Sequence, residues 1–225
     1  MEEKQTLRIS VRNLVEFIFR SGDIDNRIGK GVQKEAMQEG SRMHRKIQGR
    51  MGIEYRAEIP LKLEVPQEQY VLALDGRADG IITSEEGVTI DEIKCMYTDV
   101  TRFEEPIFVH KAQAMCYAYI YALQNGLDQI SVQMTYCDLD TEEIRRFQES
   151  FSFFWLERWF QDIIEAYRKW TDFQFAWRKI RQASNQTLEF PFPYRVGQRK
   201  LVGDVYRTIN RKKILFLQAH TGKGK

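Results

Sequence analysis

Apolar positions recur along this chain with two different periods, and the switches between them mark out its elements. Ser10 stands before Val11, Leu14, Val15 and Ile18, a spacing that predicts a capped helix ending at Ser21-Gly22-Asp23. A second helix is predicted from about residue 31 to 51, with Val32, Ala36, Gly40, Met43, His44, Ile47 and Met51 on one face. The period then becomes two. Ala57, Ile59, Leu61, Leu63 and Val65 alternate as in a half-buried strand, and Pro60 assigns that strand to an edge or a bulge. Separate short strands are predicted at 70–74 and 78–83, broken by Asp75-Gly76, and a turn at 84–87 leads into a fourth strand at 88–96. Helical spacing returns from about 107 to 123 and stops at Gly126; a strand follows on Ile130, Val132, Met134 and Tyr136. From about Thr141 to beyond Trp170 the pattern predicts one long helix, whose Phe151, Phe154, Trp155, Trp159 and Trp170 read as a core or capping surface rather than a base-stacking platform.

Helices, a strand meander, helix, strand and helix make a mixed α/β domain over residues 1–183. Residues 184–193, with Phe190-Pro191-Phe192-Pro193, read as a stiff linker, and 194–225 as the start of something separate. Hydrophobic residues are 43% and charged residues 29% of the chain, a globular composition. No apolar run approaches the roughly 20 residues of a membrane helix, and Met1-Glu2-Glu3-Lys4 lacks the features of a signal peptide. Cys95, Cys116 and Cys137 form no CxxC pair, so neither a disulfide framework nor a zinc site is expected, and the cytoplasm is the expected compartment. Net charge is only +2, yet from 178 to 225 twelve basic residues face only Glu189 and Asp204. A basic segment attached to an acidic body points to contact with phosphates, or to a solvated basic linker.

The chemistry is concentrated in Asp75-Gly76-Arg77-Ala78-Asp79-Gly80 and Thr89-Ile90-Asp91-Glu92-Ile93-Lys94. On a strand, Glu92 and Lys94 point to one face and Asp91 to the other. Asp79, across a hairpin, can bring its carboxylate towards that of Glu92. Two such carboxylates repel unless a cation lies between them, and Mg²⁺ or Mn²⁺ suits oxygen donors. Such an ion activates phosphoryl groups and water, with Lys94 orienting the nucleophile or stabilising developing charge. An exposed Glu–Lys pair on a surface strand would look the same locally. His44 taken alone reads as a core histidine, His110 as structural or DNA-adjacent, and Asp91 as solvated or hydrogen-bonded, with a swap of roles between Asp91 and Glu92 left open.

Four motifs in order change the weighting: Gly40-Ser41-Arg42-Met43-His44, Asp79 in Gly-Arg-Ala-Asp, Glu92-Ile93-Lys94, and Gln113 with Tyr117. This order resembles the RecB-like nucleases of the PD-(D/E)XK superfamily over residues 10 to 180. The resemblance implies an α/β restriction-endonuclease-like core, a mixed sheet flanked by helices, with N-terminal helices and a long C-terminal helix. It implies a metal-dependent deoxyribonuclease, which beside a helicase of the kind read below would act on single strands or free ends. His44, Asp79, Glu92 and the Ile93 carbonyl would bind Mg²⁺ or Mn²⁺, Lys94 would be the catalytic lysine, and Gln113 and Tyr117 would flank the site and touch DNA. The four-cysteine iron–sulfur cluster of some such nucleases is not expected from three lone cysteines. A catalytically silent DNA-binding module and an RNA-directed enzyme are the competing readings.

Near the end, Arg195-Val196-Gly197-Gln198 precedes an amphipathic helix from 199 to 209. An apolar strand is predicted at 214–217, and then comes Ala219-His220-Thr221-Gly222-Lys223-Gly224-Lys225. This resembles the opening of DinG/XPD-like superfamily 2 DNA helicases. The resemblance implies that Gln198 reads adenine and that Thr221, Gly222, Gly224 and Lys225 cradle phosphates of ATP. ATP would act only in the complete helicase, joined in cis.

Overall fold

Ser10 caps the first helix as its position predicts: its Oγ accepts the backbone N–H of Asn13 at 3.2 Å. The computed structural model describes residues 4–21, 30–189 and 191–218, and for 30–37 the backbone alone. The side chains of Val32 and Ala36 of the expected apolar face, and the phosphate-loop residues Thr221, Gly222, Gly224 and Lys225 altogether, lie outside what is described. The elements run β1 (Gln5–Ser10), α1 (Val11–Phe19), α2 (Lys30–Gln48), β2 (Tyr55–Pro66), β3 (Tyr70–Ser84), β4 (Gly87–Met96), α3 (Phe108–Asn125), β5 (Gln129–Asp138), β6 (Ile144–Ser152), α4 (Phe153–Gln186) and α5 (Gln198–Asn210). They fall into two compact units, 1–173 and 174–225, with the division inside α4.

The first unit is built on a six-stranded mixed sheet in the order β1-β3-β4-β5-β6, with β2 on the free side of β3. β1 pairs with β3, and β4 with β5, in parallel; the remaining pairs are antiparallel. Helices cover both faces. Met43 and Ile47 of α2 pack on Ile93 and Cys137, whereas Lys94, pointing the other way, reaches Gln113 of α3. Helix α4 closes over α3 and α1 through rings: Tyr119 stacks on Phe160 at 4.4 Å, and Phe17 meets Tyr167 edge-on at 5.3 Å. The aromatic residues of α4 therefore serve partly as core, although Trp155 and Trp170 keep substantial exposure.

Three elements of the first unit differ from the pattern reading. β1 was not expected: its six residues offer only Leu7 and Ile9 as apolar alternation, too short to register, and it gains its strand conformation by pairing with 70–75. Asp75-Gly76 does not break a strand, because β3 runs unbroken from Tyr70 to Ser84. Gly76 is there for space: a Cβ would stand 2.6 Å from the Tyr117 ring. Finally, the segment expected to open the long helix is strand β6, paired with β5. Ile144, Phe147 and Phe151 are spaced as on a helix but lie on two faces of a strand, Ile144 against Cys137 and Phe147 against Met134. Glu142, at φ 60°, turns the hairpin.

In the second unit, α5 is capped by Gly197 and has no buried residue. The strand expected at 214–217 does not form: these residues have no regular secondary structure and no ladder pairing among the described residues. No described helix is long and apolar enough to cross a membrane.

Candidate active site

The sheet forks at the site. One edge of β3 pairs first with β1, through Asp75, and then with β4, from Gly80 onward. Residues 76–79 lie between the two partners, and Asp79 stands where β3 and β4 diverge. A ladder interrupted here leaves backbone groups in need of partners. The Asp79 carboxylate supplies one, with Oδ2 accepting the Ile93 N–H at 2.8 Å. Tyr117 fills the rest of the gap, its ring over Gly76 and its hydroxyl hydrogen-bonded to the backbone of Arg77.

Around this fork the fold gathers His44, Asp79, Glu92, Lys94, Gln113 and Tyr117. His44 Nδ1 lies 3.8 Å from Asp79 Oδ1. Lys94 Nζ donates to Glu92 Oε1 at 2.7 Å and to Gln113 Oε1 at 3.2 Å. Gln113 and Tyr117, one turn apart on α3, are both buried and directed at Lys94 and the β3 edge. Only Gln113 borders the open cleft of about 660 Å³, which is also lined by Arg12, Ser41, His44, Lys94 and His110. Arg12 gives no sequence signal beyond its place in a capped helix, yet it brings a guanidinium to the mouth of the cleft.

Asp91 is fully buried on the face opposite Glu92, so it is not solvated. It accepts from Thr135 Oγ1 at 2.6 Å, Gln133 Nε2 at 3.0 Å and the Tyr55 hydroxyl at 3.2 Å. Three donors satisfy its carboxylate. Glu92 differs sharply: its Oε2 is buried with no hydrogen-bond partner. Burial pushes the Glu92 carboxyl up to about 8, against the pull of Lys94 and with the push of Asp79. Burial likewise raises Asp79, opposed by His44, the Ile93 N–H and Lys94. His110 is driven down to about 4, first by burial and then by Lys94 and Arg12, which keeps its ring neutral beside the cleft.

Among the described residues no three His, Cys, Asp or Glu side chains converge tightly enough to grip an ion as they stand. The donors nonetheless fit one. Two carboxyls held above their ordinary range, one with an unpaired oxygen, together with a nearby imidazole, form an electron-rich set that a divalent cation would relieve. Cys95 and Cys137, which look dispersed in sequence, are register partners on β4 and β5, and both are free thiols.

No family model matches the sequence, and no curated protein matches it. Solved structures do. An alkaline exonuclease (LHK-Exo) from Laribacter hongkongensis aligns with a TM-score of 0.50 at 13% identity, over 79% of this chain and 94% of the other. The same exonuclease in complex with dAMP gives 0.47 at 13% identity over 80% and 94%, and the protein SSO0001 gives 0.44 at 17% identity over 74% and 78%. The first likeness establishes the fold: a mixed sheet flanked by helices, with a long C-terminal helix, arranged as in this exonuclease.

Proposed function

We propose that the first unit is a metal-dependent nuclease that hydrolyses phosphodiester bonds in DNA. The observation that carries this reading is the buried, unpartnered Oε2 of Glu92, beside Asp79 and beside Lys94, which itself lines the open cleft. An unpaired buried carboxyl oxygen destabilises a fold, and a module that only held DNA would gain nothing from it. His44, Asp79, Glu92 and the carbonyl of Ile93 would hold Mg²⁺ or Mn²⁺. When bound, such an ion supplies positive charge to the phosphoryl group under attack and makes water a better nucleophile. Lys94, hydrogen-bonded to Gln113, would orient that water or stabilise charge developing on the phosphate. Arg12, which is ion-paired with Glu16 at 2.7 Å, would contact a phosphate from the cleft lining, while Tyr117 holds the β3 edge open. The likeness in fold to an alkaline exonuclease supports DNA as substrate.

The reading extends to the second unit as part of a helicase joined in cis, on its basic charge and its Arg195-Val196-Gly197-Gln198 motif. Gln198 Oε1 accepts the Arg195 N–H at 2.8 Å, which closes that motif on itself at the start of α5. A nuclease coupled to such a motor would meet single strands and free ends.

The test is cleavage of end-labelled and circular single-stranded DNA with Mg²⁺ or Mn²⁺. Wild type is expected to degrade the linear strand, with Glu92→Ala and Lys94→Ala reduced by about 100-fold or more. Full activity in either variant would mean that the site lies elsewhere. Cutting of the circle would identify endonucleolytic action.

A further inference from the structure

Asp79 is released from the strand ladder on both sides, and only one release comes from the fork. On the β2 side the register passes from Ala57↔Gly80 to Ile59↔Ala78 without pairing Glu58 with Asp79. Glu58 is the cause: it is a non-glycine residue in mid-strand at φ +58°, a conformation that costs a branched or long side chain roughly 1–2 kcal/mol. Strain of that kind persists only where surrounding contacts hold it. Here the contacts are explicit. Gln48 Nε2 donates both to the Asp79 carbonyl at 3.0 Å and to Glu58 Oε1 at 3.1 Å. Glu58 Oε2 pairs with the Arg77 guanidinium at 2.5 Å.

Gln48 lies one turn after His44, so both face Asp79 from the last turns of α2. His44 meets its carboxylate and Gln48 its carbonyl. Fixing that carbonyl fixes the distance between the imidazole and the carboxylate, which come from different elements. We infer that Gln48 and the strained Glu58 are positioning residues that lock the His44 face of α2 onto Asp79 and so preorganise the metal-binding set; this rests on the metal-dependent reading of the site.

Positioning residues of this kind affect metal affinity separately from stability, which merely structural residues would not do. Glu58→Gly removes the backbone strain together with the carboxylate, so the metal-free protein is expected to unfold at a temperature no lower than wild type. Its affinity for Mn²⁺, measured by calorimetry, is expected to fall by about 10-fold or more, the usual effect of losing an outer-shell partner. Gln48→Met keeps the length of the side chain, lacks the donor, and should match Glu58→Gly in affinity. Glu58→Gln retains an acceptor for Gln48 and should stay within about threefold of wild type. Unchanged Mn²⁺ affinity in Gln48→Met and Glu58→Gly, with wild type binding normally, overturns this inference alone. A wild type that binds no Mn²⁺ overturns the metal reading and this inference with it.

Discussion

At Glu92 the chain buries a carboxyl and gives one of its oxygens no donor, whereas its neighbour Asp91, equally buried, has three. Adjacent acids on opposite faces of one strand thus have opposite roles. Asp91→Ala would leave three donors stranded and is expected to lower stability by about 2–4 kcal/mol in chemical denaturation. Its activity per folded molecule should stay within a few-fold of wild type; a collapse like that of Glu92→Ala would exchange the two assignments. His44 has its own signature. Imidazole nitrogen suits Mn²⁺ better than Mg²⁺, which favours oxygen and keeps its water. Wild type should therefore work faster with Mn²⁺ at equal concentration, and His44→Ala should lose that preference; a preference retained would make His44 a core residue. The facing of Glu92 and Lys94 was legible because strand alternation needs only local sequence. The burial of Asp91 was not, because its donors come from Tyr55, Gln133 and Thr135, which only the folded sheet brings near.

At the scale of elements, the site depends on β3 being one strand with an open stretch in its edge. Gly76 permits this by letting the Tyr117 ring lie on the backbone. Gly76→Ala places a methyl against that ring and is expected to cost about 1–3 kcal/mol in thermal or chemical unfolding. The penalty should shrink when Tyr117 is also cut to Ala; an equal penalty in both backgrounds would show that the ring is not what Gly76 accommodates. Sequence reading took the same glycine for a strand break, since Asp-Gly favours turns and the demand for space comes from a helix 41 residues later. It missed β6 for a related reason. Apolar spacings of three and four imitate a helix whenever both faces of a strand are covered. The helices carrying His44 and Gln113 were legible from their 3.6-residue apolar spacing, although α2 ends at Gln48 and leaves Met51, expected on its face, beyond it.

For the molecule as a whole, the division near residue 173 separates a sheet-bearing unit rich in buried residues from one whose helix α5 buries none. Limited trypsin digestion is expected to cut first within the basic 174–225 region and to leave the sheet-bearing unit; equal resistance would make the tail an integral part of it. The acidic site also sets a pH dependence. Glu92 is raised from its ordinary 4.5 to about 8 in the folded chain. Its neutral form is therefore favoured by folding, and the associated stability is complete below about 4.5 and drains away as pH rises towards 8. A divalent ion at the carboxyl reverses this by favouring the ionised form, and so must expel the proton. The most direct test is calorimetric titration of Mn²⁺ at pH 7 in two buffers of different ionisation enthalpy. Release of about one proton per ion bound is expected, with both the release and most of the affinity lost in Glu92→Gln. Binding without proton release, or binding unchanged in Glu92→Gln, would contradict it.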